Sequence, residues 1–206
     1  MKKICLFFLC LLWIVFCSAC NDDSARDAEK YSSIPETKTA SDTDKYIIQT
    51  PYYQIYEEDL QTYRYRIASG KTVLAEDVKT GTEPTIEEKG GGILKLHLGF
   101  GTNAFSVQYF DMYRKTVSEK FSPYSIYADY INAKTKDYYI AYFQLEDNPK
   151  LYINGFFESA GFSVALDLDF AMTTCEKIIF LNESELYIEY TNDHSENVRK
   201  VVNYKE

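Results

Sequence analysis

The side chains able to do chemistry in this 206-residue chain are few and scattered. Histidine occurs twice. His97 falls on the polar face of a predicted strand, and His194 sits in the turn-like run from Asn192 to Asn197. Neither stands in an HExxH or comparable ligand spacing. Gly161-Phe162-Ser163 runs straight into Val164-Ala165, so it is no nucleophile elbow, which needs Gly-x-Ser-x-Gly. Cys175 precedes an apolar strand, where a lone cysteine is usually a small core residue, and a catalytic thiol would need a positioned base. Asp167 and Asp169 alternate with Leu166, Leu168 and Phe170, which puts both carboxylates on one strand face. That geometry is open to calcium or to an acid/base pair. Calcium, however, takes about six to eight oxygens from a shaped loop, and a solvated strand face explains the alternation by itself. The oxygen-rich turn of Asn192, Asp193 and Glu196 matches no EF-hand spacing. Gly90-Gly91-Gly92 and Gly99-x-Gly101 lack the Lys-Ser/Thr and the helix N-terminus of a phosphate loop. These readings give no catalytic residue, no metal and no cofactor.

Tyrosine is the one overrepresented chemistry, with 19 residues. It clusters at Tyr52, Tyr53 and Tyr56, at Tyr124, Tyr127 and Tyr130, and at Tyr138, Tyr139 and Tyr142. Aromatic rings on a rigid sheet can stack on sugar faces or anchor a protein partner. Tyr124, Tyr127, Tyr130, Tyr138 and Tyr139 are therefore the candidate ligand-binding residues. Tyr138 and Tyr139 are adjacent and must point to opposite faces of a strand, so at least one is expected at the surface. The simpler alternative is that tyrosine fills a half-buried sheet with its hydroxyl at the rim.

Three of the five cysteines, at 5, 10 and 17, lie in or beside the apolar run that starts at Ile4 and ends at Phe16. Met1-Lys2-Lys3 precedes this run and Ser18-Ala19 follows it, the order of a secretory signal peptide. The run is shorter than the roughly 20 residues a spanning helix needs. Cys17-Ser18-Ala19-Cys20 resembles a bacterial lipobox, although cysteine stands where leucine is usual. The resemblance implies a diacylglyceryl group on the Cys20 thiol and cleavage between Ala19 and Cys20. Residues 1–19 are then a lipoprotein signal peptide. The rest of the chain is held by lipid at the outer face of the cell membrane, with Cys175 its one remaining thiol. The alternatives are an ordinary signal peptide and an uncleaved anchor.

Residues 20–45 read as the lipidated cysteine and a disordered tether. Tyr31 and Ile34 are its only large apolar residues, too few for a core. As a flexible coil the tether reaches roughly 25–30 Å. The formal charge of the chain is −9, and loss of Lys2 and Lys3 leaves 20 basic against 31 acidic side chains, or −11. That surface repels phosphate backbones, so nucleic acid is not an expected partner, and membrane attachment falls to the lipid.

Residues 46–206 read as one mainly β domain. Tyr63, Tyr65 and Ile67 alternate with Arg64 and Arg66, and Leu94, Leu96, Leu98 and Phe100 alternate with Lys95 and His97. Ser69-Gly70-Lys71, residues 90–92 and 101–103, residues 146–150, Asn182-Glu183-Ser184 and Asn192 to Asn197 supply the turns. Phe170 to Glu176 has room for a short helix, and Tyr124 to Ala133 reads either way. Strands at this spacing predict an antiparallel sandwich, barrel or propeller-like sheet of hairpins. Leu94, Leu151 and Leu186 open comparable strands but lie 57 and 35 residues apart. A fixed repeat is therefore not expected.

The runs Leu98-Gly99-Phe100-Gly101-Thr102-Asn103, Gln108-Tyr109-Phe110-Asp111 and Val117-Ser118-Glu119-Lys120-Phe121 resemble a family of uncharacterised lipoproteins from clostridia-like Firmicutes, over about Ile86 to Tyr204. The resemblance implies a β-rich extracytoplasmic domain and carries no activity. The function expected is a non-catalytic binding or accessory domain for a protein, peptide or glycan. The alternatives are an extracytoplasmic hydrolase or metal-dependent enzyme using scattered carboxylates, and a structural subunit of an envelope or transport complex.

Overall fold

The computed structural model describes residues 45–101, 104–124, 126–144, 150–157, 162–168 and 170–205. Residues 1–44, which include Cys20, the expected signal peptide and all of the expected tether but Lys45, lie outside them, as do Asp169 and most of the 146–150 turn. The described chain is all β. Consecutive strands pair antiparallel into four meander sheets, and none closes into a barrel. The first sheet holds β1 (Lys45–Gln49), β2 (Tyr53–Asp59), β3 (Thr62–Ser69) and β4 (Thr72–Thr80). The second holds β5 (Thr85–Gly90), β6 (Ile93–Gly99), β7 (Phe105–Asp111) and the short β8 (Thr116–Val117). The third holds β9 (Tyr127–Asn132), β10 (Asp137–Phe143), β11 (Lys150–Gly155) and β12 (Ser163–Asp167). The fourth holds β13 (Phe170–Phe180), β14 (Glu185–Asn192) and β15 (Asn197–Asn203).

The sheets recur at a similar but not a fixed interval. The sheets begin at Lys45, Thr85, Tyr127 and Phe170, steps of 40, 42 and 43 residues. That is near the length of blade-like four-stranded units, although the fourth sheet has three strands. The three leucines compared above occupy different ranks in their sheets, the second strand for Leu94 and Leu186 and the third for Leu151, so their spacing hides the interval.

Asx side chains set many of the reversals. Asn132 Oδ1 accepts from the amides of Lys134 and Thr135. Asn182 Oδ1 accepts from Ser184 and Glu185, and Asn192 Oδ1 from His194 and Glu196. Each bond replaces a ladder partner at the end of a strand. His194 is thus an exposed turn residue. Gly91, at φ 60°, brings the β5–β6 turn against the β9–β10 turn, where an added Cβ would stand 2.6 Å from that of Ala133.

The sheets stack face to face in chain order. Ile55, Tyr65 and Ile67 of the first sheet meet Leu94, Leu96, Leu98 and Phe110 of the second. Tyr109 and Val107 of the second meet Tyr138, Ile140 and Tyr142 of the third. Tyr139, Ala141 and Phe143 on the opposite face of β10 meet Ile178, Leu186, Ile188 and Tyr190 of the fourth. The unbroken apolar run of β10 is the expected signature of a strand covered on both sides.

Tyr138 and Tyr139 do point to opposite faces, but both are buried because each face carries a neighbouring sheet. Phe170 to Glu176 is no helix, because β13 takes β14 as its partner along Phe170 to Phe180. Phe100 is not part of the apolar face of β6. The strand ends at Gly99, and Phe100 is exposed.

Candidate functional site

The most chemically dense place among the described residues is where β5 and β6 of the second sheet meet β9 of the third. β9 is an edge strand of its sheet, as β5 and β13 are of theirs. A groove of about 550 Å³ runs beside β9, lined by Lys95 of β6, by Tyr127 to Ile131, and by Ile178 to Phe180 of β13. Alternation along β9 turns Tyr127, Asp129 and Ile131 toward the second sheet, in register with Tyr142, Ile140 and Tyr138. Tyr130 points the other way, with its ring 6.3 Å from that of Tyr139 and 5.7 Å from that of Phe180.

Four charged groups interlock at the end of the groove near Lys95. Asp129 lies 3.2 Å from both Lys89 and Lys95, and Glu87 lies 3.1 Å from Lys89 and 2.6 Å from Lys95. The Lys95 ammonium also sits 5.5 Å over the Tyr127 ring, a cation–π distance. The Tyr109 hydroxyl is 3.4 Å from Asp129, a long contact. Two cations and two anions leave the group neutral as a whole.

Burial pulls the Lys95 ammonium down, but the carboxylates of Glu87 and Asp129 outweigh it and hold the ammonium above its ordinary value. The hydrogen bond from Lys95, joined by Lys89, holds the Glu87 carboxyl below the usual carboxylate range against its own burial. Burial pushes the Tyr109 and Tyr127 hydroxyls up, and pushes His97 down with help from Lys95. Burial also raises the Cys175 thiol to about 11. Every shift keeps its group in one protonation state near neutral pH, whereas a catalytic acid, base or thiolate needs a pKa near the working pH. No set of three or more His, Cys, Asp and Glu side chains is placed to hold a metal among the described residues. Asp167 is exposed and pairs with Lys150 at 3.1 Å.

The five candidate tyrosines therefore divide. Tyr127 and Tyr130 line the groove, while Tyr138 and Tyr139 are core residues. Tyr124 is half-buried and outside the groove lining, with its amide donating to the carbonyl of Phe143. Reading the sequence missed Asp129, Lys89 and Glu87. Lys95 was placed on the right face, but no local signal pairs it with a carboxylate 34 residues away. Comparison with protein-family models, with curated proteins and with solved structures gives no match to the chain.

Asp129 holds the cluster together. Asp129→Ala is expected to cost about 2 kcal/mol, because two largely covered ammonium groups are left to share Glu87. Adding Lys95→Met should recover part of that loss. A double-mutant cycle in urea would show the two costs to be non-additive by about 1 kcal/mol. Additive costs would mean that Lys95 and Asp129 do not act as a pair.

Proposed function

We propose that the chain is a lipid-anchored extracytoplasmic binding domain, tethered through Cys20, that holds a peptide or glycan in the groove beside β9. The observation that carries the reading is the groove itself. It is shaped, lined by two half-buried tyrosines and by Ile179 and Phe180, and its charges are already matched. Such a site offers apolar surface with a few fixed polar groups, the usual make-up of a ligand site. The pKa directions favour binding over the hydrolase alternative, since Glu87, Lys95 and Tyr109 are held away from proton exchange near neutral pH.

Two measurements test this. Mass spectrometry of the protein purified from membranes should find a mature N-terminus at Cys20 carrying a diacylglyceryl thioether. An intact Met1 or an unmodified Cys20 would remove the anchor. Binding screens of that protein against immobilised peptide and glycan libraries should yield a ligand weakened at least tenfold by Tyr127→Ala or Tyr130→Ala. Turnover of chromogenic ester, phosphate or glycoside substrates would favour the enzyme instead.

A further inference from the structure

A second pocket, of about 430 Å³, lies away from β9 at the opposite margin of the second and third sheets. Val117, Ser118 and Glu119 form one side of it. Asn154 to Phe157 and Phe162-Ser163 form the other. The third sheet projects past the second here. Sheet two ends in the two-residue β8, while β12 carries exposed Ser163, Ala165 and Asp167 on the face that β10 turns toward sheet two.

Inside its rim the polar groups of this pocket are neutral and fixed in place. The register of β11 and β12 sets Asn154 opposite Ser163. The Ser163 hydroxyl donates to Asn154 Oδ1 at 2.8 Å, and Asn154 Nδ2 donates to the Tyr142 hydroxyl at 3.2 Å. The carboxamide is thus oriented from both ends. It keeps a second N–H and a second carbonyl lone pair, and the Ser163 oxygen can still accept. Ser118 is already engaged, accepting from the Tyr109 amide and donating to the Glu119 carbonyl. The carboxylate of Glu119 stands at the rim, exposed. Phe156 and Phe157, both buried, close the floor of the pocket, Phe162 turns its ring to the opposite face of the sheet against Tyr139 and Tyr204, and Gly155 adds no side chain to fill the space.

These properties select a class of ligand. No lysine or arginine lines the pocket among the described residues, and both Glu119 and the net acidic chain oppose an anion. A purely apolar ligand would leave the free Asn154 N–H and carbonyl lone pair unpaired, which costs free energy. One exposed carboxylate is too weak to select a cation. A neutral sugar satisfies every group. Its hydroxyls both donate and accept, matching Asn154, Ser163 and Glu119, and its uncharged ring takes the space beside Gly155. We propose that this pocket is a neutral-carbohydrate site with room for one or two sugar rings, separate from the β9 groove.

The test is titration of the full-length mature lipoprotein, in a sugar-free detergent, with maltose, cellobiose and N,N′-diacetylchitobiose, followed by NMR. At least one disaccharide should saturate and shift the Asn154 side-chain amide and the Ser163 backbone amide. Asn154→Ala should weaken that binding at least tenfold. Ser163→Tyr should do the same by filling the pocket from an exposed position, where misfolding cannot explain the loss. The proposal is overturned if none of the three sugars saturates, or if both variants bind as the parent does. Shifts confined to Tyr127 and Tyr130 would also overturn it, while leaving the β9 groove standing as a binding site.

Discussion

Tyr109→Ala is expected to destabilise the protein by about 3–5 kcal/mol, among the largest losses a single substitution can cause here. Tyr109 is fully buried, and its ring lies flat on that of Phe156 with centroids 3.6 Å apart and planes 9° from parallel. Phe156 in turn stacks on Tyr138 at 6.1 Å, and Phe121 flanks Tyr109 at the same distance. The second and third sheets meet through this set of rings. Truncation leaves a cavity that two rigid sheets cannot collapse to fill, so the packing term adds to the lost burial. At about 2–4 °C per kcal/mol for a domain this size, the midpoint should fall by about 10–15 °C. Tyr109→Phe should stay within about 1 kcal/mol, because the contact it loses to Asp129 is a long one at 3.4 Å. Urea denaturation of the two variants decides the matter. A cost below about 1 kcal/mol for Tyr109→Ala would mean that the sheets do not stack through it.

The strands themselves were legible because alternation is a local property. β3 and β6 fall on the alternating runs from Tyr63 to Ile67 and from Leu94 to Leu98, and the turns at Ser69-Gly70 and Asn182 to Ser184 fall where their residue types put them. What escaped is non-local. A strand that alternates polar and apolar residues reads as half solvated, yet Lys95 and His97 sit between two sheets because the third sheet covers that face. The similar interval of the sheets escaped because matching leucines compared strands of different rank. The Phe170 to Glu176 segment depends on β14 for its conformation, and a partner strand cannot be read from the segment that needs it. Of the residues that line the groove, Tyr127 and Tyr130 stood out in the sequence by their clustering. Asp129 did not, since its partners arrive from β5 and β6 only after folding.

Stacking sheets on both faces also buries tyrosine hydroxyls, and this predicts a steep alkaline unfolding. Burial pushes the Tyr65 hydroxyl up to about 12, and raises Tyr109 and Tyr204 as well. The Tyr204 hydroxyl is buried without a hydrogen-bond partner among the described residues. Lys95 joins them because, despite its burial, the carboxylates of Glu87 and Asp129 hold its ammonium up. In each case the folded-state pKa lies above the unfolded value. The stability each contributes is therefore fully present below about pH 10 and is lost as pH rises through the folded-state pKa. Each group released on unfolding costs about 1.4 kcal/mol per pH unit, so these four together remove about 5–6 kcal/mol per unit. A domain of ordinary stability, about 5–15 kcal/mol, should then hold to pH 10 and unfold cooperatively between about pH 11 and 12.5. The part of the tyrosinate absorbance near 295 nm that belongs to these buried hydroxyls should rise as a step in the same interval in which far-ultraviolet dichroism is lost, with a steepness no single tyrosine can give. Tyr65→Phe and Tyr204→Phe together should move the midpoint upward, since two of the titrating groups are gone while the rings that pack the sheets remain. Complete ionisation of the tyrosines before any dichroism is lost would show that these hydroxyls reach water in the folded protein, and the doubly covered sheets would have to be abandoned.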